Sequence, residues 1–162
     1  MISPIYVAAS FQRNLRVLAM QTEGITHEKS LAQLPFRGNC MNWIVGHLVT
    51  NRNNVLKLLE APDRIEDVDM SRYQRESDPI TVDSKDVIQL EKLLEMLERS
   101  QKHLDDLLEH ITEGQLERKL AFFGNTEMTV SEWLLFFYFH DTYHTGQTEI
   151  LRQAAGMDDK VI

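Results

Sequence analysis

The sequence predicts an all-α protein built as a four-helix bundle, and three observations carry that expectation. Four stretches of the 162-residue chain repeat apolar side chains at the spacing of one helical face. Nothing makes a convincing sheet; the one hint of strand is a small hairpin at Phe122-Phe-Gly-Asn-Thr. A polar segment, residues 61–83, divides the second helical stretch from the third. At roughly 3.3 Å per residue it outreaches the about 30 Å of a 20-residue helix, so it can cross the bundle and let the two helices run parallel.

Each element has its own signals. Ser3-Pro4 is a helix start, with Ser as N-cap and Pro in the first turn. Ile5, Ala8, Phe11, Leu15 and Leu18 follow at helical spacing and end near Gly24. Residues 25–38 connect, with a short helical turn in which His27 is read as solvated. The second helix runs from an Asn39 cap to about Glu60, with Trp43, Ile44, His47, Leu48, Asn51, Val55, Leu58 and Leu59 in its interior. Gly46 costs this helix about 1 kcal/mol against Ala, which points to close approach by another element.

The third helix starts at Asp83 or Ser84 and reaches about His110, with Leu90, Leu93, Leu94, Leu97, Leu104, Leu107 and Leu108 on its apolar face. Glu91, Glu95 and Arg99 make a solvated outer face, and His103 and His110 suit the helix C-terminus. Residues 111–128 connect, with the hairpin turning at Gly124-Asn125. The fourth helix, residues 129–155, opens on a capping box, Thr129-Val-Ser-Glu132. A faint internal echo links Ile25-Thr26 with Ile111-Thr112, each leading to a helix with an early Trp, at Trp43 and Trp133.

Length and composition bound the function. The 162 residues are one domain's worth, and a 43% hydrophobic, 26% charged chain is ordinary globular protein. A formal charge of -8 without a basic run disfavours nucleic-acid binding. Cys40 is the single cysteine, so no internal disulfide forms, and a reducing cytoplasm is the expected setting. No signal-peptide pattern opens the chain, and no apolar run is long enough to span a membrane.

The chemistry is expected on the fourth helix. His140 and His144, four apart, lie on one face and fall on the apolar stripe of Val130, Trp133, Leu134, Phe137 and Leu151. Both imidazoles can reach one metal ion; equally, both can be core histidines satisfied by hydrogen bonds. Spacing leaves the two readings open. His47, beside the stripe of the second helix, reads on its own as a satisfied core histidine, and Asn51, one turn on, as a solvated or helix-contact residue, with support of the site from behind as its alternative.

Gly46-His47-Leu48 on the second helix, together with His140, His144, Gly146 and Gln147 as His-x-x-x-His-x-Gly-Gln on the fourth, resembles the DinB-like superfamily. Trp43 and the polar crossover match as well, and the likeness covers essentially the whole chain. The resemblance implies an up-down-down-up bundle with a long crossover between helices two and three. It implies a divalent metal held by His47, His140 and His144. It also implies a homodimer, since members often pair. Several branches use a low-molecular-weight thiol, as S-transferases or as a thiol-dependent maleylpyruvate isomerase.

Three neutral imidazoles leave a divalent ion its full charge and an open position. Zinc or nickel is expected foremost, with iron and manganese compatible. Such an ion can lower the pKa of bound water to about 7, or hold a thiol as thiolate. A zincin peptidase is excluded, because it needs Glu directly after the first His. Asp141 stands there instead, about 100° round the helix from His140, and reads as a surface acid, with a carboxylate supporting the metal ligands from behind as the alternative. Tyr143 reads as a packing residue, with donation to a substrate as the alternative, Gln147 as able to orient a ligand, Gly146 as allowing close helix contact, and Cys40 as buried filler. Val49, Val87 and Phe136 are candidates for a dimer face, with core packing as the alternative for each. The expected function is metal-dependent thiol S-transfer to a small electrophilic substrate. The alternatives are a metal-dependent hydrolase of a small substrate and a non-catalytic metal-binding bundle. An open metal site favours an enzyme, and a closed four-ligand site favours structure.

Overall fold

The computed structural model describes residues 3–61, 65 and 68–161. Its elements are α1 (Pro4–Thr22), α2 (His27–Ser30), α3 (Met41–Leu58), α4 (Leu90–His110), α5 (Glu113–Glu117), β1 (Lys119–Ala121), β2 (Glu127–Thr129) and α6 (Val130–Ala154). The long helices α1, α3, α4 and α6 form the bundle, with α1 and α3 each packed against both α4 and α6.

Hydrogen bonds between helices fix their directions. Asn14 donates to Thr142 and Arg152 to the Gln21 carbonyl, so α1 and α6 advance together and are parallel. Asn42 donates to the Ile88 carbonyl and Arg52 to Gln101, so α3 and α4 are parallel too. Gln101 also donates to the Ala8 carbonyl, while Leu94 lines a cleft with Ala19 and Thr22; α1 and α4 are therefore antiparallel. The topology is up-down-down-up, with the segment between α3 and α4 crossing the bundle, as expected.

Two apolar clusters fill it. One gathers Trp43, Ile44, Leu48, Leu93 and Leu97 with Tyr73 and Ile80 from the crossover. The other gathers Phe11, Leu104, Trp133 and Phe137. The crossover is irregular among its described residues apart from a 3-10 turn at Ser71–Tyr73. That turn drives the Tyr73 ring against Gly46, where a Cβ would overlap the ring at Cδ1. The close approach that Gly46 announced is this tyrosine.

Several expectations are corrected. Cys40, not Asn39, is the N-cap of α3. Ser3 stands at the N-cap of α1, but its side chain makes no capping bond. The third bundle helix begins at Leu90 rather than at Asp83 or Ser84. The preceding backbone is held by other partners: the Ile88 N–H donates to the Tyr73 hydroxyl at 2.7 Å, and the Ile88 carbonyl accepts from Asn42 at 2.9 Å. His27 is not solvated; its Nδ1 accepts the Leu90 N–H at 3.2 Å and so caps α4 from a distant segment. Val49 and Val87 lie in the core, which leaves Phe136 alone of the three as an exposed apolar residue.

The hairpin is present, with Leu120 opposite Met128 and Gly124 at a positive φ of 63° in the turn. The internal echo is physical as well. Thr26 and Thr112 each cap a short helix, accepting from Lys29 and Gln115 respectively.

Candidate metal centre

The antiparallel pairing of α3 and α6 brings His47 against His140 and His144. One ligand atom from each of the three lies within 4.8 Å of the others, and His47 Nε2 stands 3.2 Å from His140 Nε2. His47 is buried, and the other two rings are half-buried. Among the described residues no fourth His, Cys, Asp or Glu joins the group. His103 and His110 are exposed on α4 and stay outside it.

The outer nitrogens decide the tautomers. His47 Nδ1 donates to the Tyr73 carbonyl at 2.7 Å, which turns its Nε2 lone pair toward α6. The Trp43 ring stacks on the same imidazole at 4.6 Å and is itself tied by its indole N–H to Ser77 at 2.9 Å. His144 Nδ1 donates to Gln147 Oε1 at 2.7 Å, so its Nε2 lone pair is free as well. Gln147 therefore orients the His144 ring. The Tyr143 ring stands edge-on to His144 at 5.3 Å, yet is exposed rather than packed in the core. His140 differs, because its Nδ1 is buried without a hydrogen-bond partner.

Burial pushes all three histidines below their ordinary pKa, His140 and His144 to about 4, and the His140 ring is lowered further by its two neighbours. The rings are thus neutral at physiological pH, the state a metal ligand needs. The donor set fits a divalent ion. Three neutral imidazoles converge, two with tautomers fixed from behind, as ligating histidines usually are. A tetrahedral ion with bonds of about 2.0–2.1 Å holds its ligands roughly 3.3 Å apart. The His47–His140 separation already matches that distance.

Asp141 is not a surface acid. It is 3% exposed, and its Oδ2 accepts from Arg52 Nη2 at 2.8 Å and Nε at 3.3 Å. Burial pushes its carboxyl up, and the Arg52 guanidinium opposes that. Arg52, only 2% exposed, is the residue the sequence reading missed. A signal existed: Arg52 follows Leu48 by one turn and Asp141 follows Phe137 by one turn, so each charge sits on an apolar stripe. Asn51 is buried and lies beside the Asp141 carboxylate, not in solvent. Gly146 is exposed, and a Cβ there would meet nothing within 4 Å, so it serves no close contact inside the chain. Cys40 is buried and its thiol pushed up by burial, which leaves it inert.

A family model described as the DinB superfamily matches residues 10–148 of the chain. Among solved structures, a conserved protein from Enterococcus faecalis is similar, with 15% identity, 96% of this chain and 98% of that one covered, and a TM-score of 0.73. At that identity the likeness speaks for the fold alone. No curated protein matches the chain.

Proposed function

The chain belongs to the DinB superfamily, and from that premise we propose that it is a metal-dependent enzyme transferring a low-molecular-weight thiol to a small electrophilic substrate. His47, His140 and His144 hold one divalent ion, zinc or nickel, within a single domain over residues 1–162. The observation that carries the reading is the donor set: three imidazoles, two of them half-buried, with no fourth ligand among the described residues. A structural zinc is closed by four protein ligands; a site of three keeps a position for chemistry.

When bound, such an ion supplies uncompensated positive charge that favours the ionised, reactive form of a thiol. The chain's own residues do the rest. The Tyr73 carbonyl and Gln147 keep the Nδ1 protons of His47 and His144, so both Nε2 lone pairs face the site. Trp43 covers one face of the His47 ring and keeps water from it. Tyr143, exposed beside His144, borders the approach and can meet the substrate.

Support for thiol transfer over hydrolysis comes from Asp141. Hydrolysis at a metal centre usually wants a carboxylate beside the attacking water. The one acid adjacent to the histidine pair is buried and bound to Arg52, away from that task. The reading places the enzyme in a reducing cytoplasm without a nucleic-acid role, as a homodimer through the exposed face of α6. Among the described residues no helix is long and apolar enough to cross a membrane.

Metal content of the purified protein is the first test, and one zinc or nickel per chain is expected. Assays with glutathione, bacillithiol and mycothiol against common electrophiles follow. Turnover that disappears in His140→Ala supports the reading. Absence of thiol turnover, with His140→Ala abolishing cleavage of an ester or amide, gives the hydrolase alternative the lead.

A further inference from the structure

Arg52 ties its own helix to the other three of the bundle. From α3 it donates to Asp141 on α6, to Gln101 Oε1 on α4 at 2.9 Å and to the Phe11 carbonyl on α1 at 3.5 Å. Its guanidinium also lies 4.4 Å from the centroid of the Phe11 ring. The pair it forms with Asp141 joins the two helices that carry the three histidines. Asp141 is the residue after His140, and Arg52 lies five residues after His47.

The three rings are held unequally. His47 has a carbonyl behind it and an indole over it, and His144 has Gln147 behind it. His140 Nδ1 has no hydrogen-bond partner, so apart from the 3.2 Å approach of its Nε2 to His47 its ring is held from behind by its backbone. That backbone is pinned one residue away by the Asp141–Arg52 pair.

We propose that Arg52 and Asp141 are positioning residues for the metal centre: their buried pair sets the separation and register of α3 and α6 and so holds His140 against His47. This rests on the metal reading above. The brace takes the part that an outer hydrogen bond plays for the other two ligands. Loss of such an outer partner typically lowers metal affinity about 10–100-fold. The second Asp141 oxygen, Oδ1, is buried, with Asn51 beside the carboxylate.

The test must separate positioning from plain stability. Buried ion pairs can be exchanged for apolar residues of similar volume with stability kept or raised. The double variant Arg52→Met/Asp141→Leu is therefore expected to stay folded, with a thermal midpoint close to that of the parent. Its zinc affinity, read by competition with a chromophoric chelator, is expected to fall at least tenfold. The visible spectrum of its cobalt-loaded form is expected to lose the intensity of a tetrahedral site. A folded double variant with parental zinc affinity and cobalt spectrum overturns the proposal. If the double variant does not fold, Asp141→Asn decides. It keeps the shape and one acceptor for Arg52, so zinc affinity between that of the parent and one tenth of it supports the brace. Lys in place of Arg52, which cannot reproduce the fork, is expected to bind more weakly than Asp141→Asn, and equal, undiminished affinity in both overturns the proposal. A parent protein that binds no zinc or cobalt overturns the metal reading itself, and that result is seen before any variant is made.

Discussion

Two of the three groups that orient the histidines can be tested by single substitutions. Gln147 accepts the His144 Nδ1 proton at 2.7 Å from a half-buried position on the helix surface. Gln147→Leu removes that acceptor with little loss of packing. Zinc affinity is expected to fall about 10–100-fold, while the unfolding free energy read by urea denaturation stays within about ±0.5 kcal/mol, as is typical of surface changes. Gly46→Ala acts through the other group. Its Cβ would press on the Tyr73 ring, which is fully buried and tied by its hydroxyl to Asn42 and Ile88. The ring cannot swing away cheaply, so a loss of about 1–3 kcal/mol is expected in urea denaturation. Because the Tyr73 carbonyl holds His47, zinc affinity should drop in the same variant. His140 and His144 were legible because polar rings on an apolar stripe need partners. His47 needed the family motif, and its acceptor was out of reach, since a backbone carbonyl 26 residues away leaves no mark in the sequence.

Among the elements, local signals succeeded where the helix end satisfies itself and failed where another segment satisfies it. Thr129 and Glu132 close a capping box on each other: Thr129 Oγ1 accepts the Glu132 N–H at 3.2 Å, and Glu132 Oε2 accepts the Thr129 N–H at 2.7 Å. All partners lie within four residues, so α6 starts where the sequence says. The start of α4 is set by His27, Asn42 and Tyr73, which are distant in sequence, and the Asp83-Ser84 signal lost to them. The same contrast gives a prediction. Thr129→Ala should cost about 1 kcal/mol of stability, read as a lower urea midpoint with an unchanged slope. Its zinc affinity should hold, because His140 lies about 16 Å further along the helix at 1.5 Å per residue.

For the whole molecule, topology was legible from the length of the crossover and from the family likeness, but the outer surface was not. Periodicity reports which face is apolar, and α6 is apolar on two. Its inner face carries Trp133, Phe137 and Leu151, and its outer face exposes Leu135, Phe136, Phe139, Tyr143 and Ile150. Steps of three and four residues link Leu135, Phe136, Phe139 and Tyr143 into one stripe, Ile150 lies two turns beyond Tyr143, and Phe123 from the hairpin extends the stripe by its contact with Phe136. Phe139 is the most exposed of the set, at 68%. With aromatic side chains of about 150–250 Å² each, the stripe exposes on the order of 500 Å². That reaches the upper range for a monomer's largest apolar patch and supplies most of the roughly 800 Å² per partner in a standard interface. Gly146 lies within the stripe and costs the helix about 1 kcal/mol against Ala, yet its Cβ would touch nothing in the chain. We propose that a second copy packs on this stripe, with Gly146 inside the contact. Sedimentation of the parent at tens of micromolar should show a dimer, and its thermal midpoint should rise with concentration. Phe139→Asp, which puts a charge at the centre of the contact, should give a folded monomer whose midpoint no longer depends on concentration. A parent that sediments as a monomer at that concentration, or a Phe139→Asp variant that remains a dimer, would remove α6 as the interface.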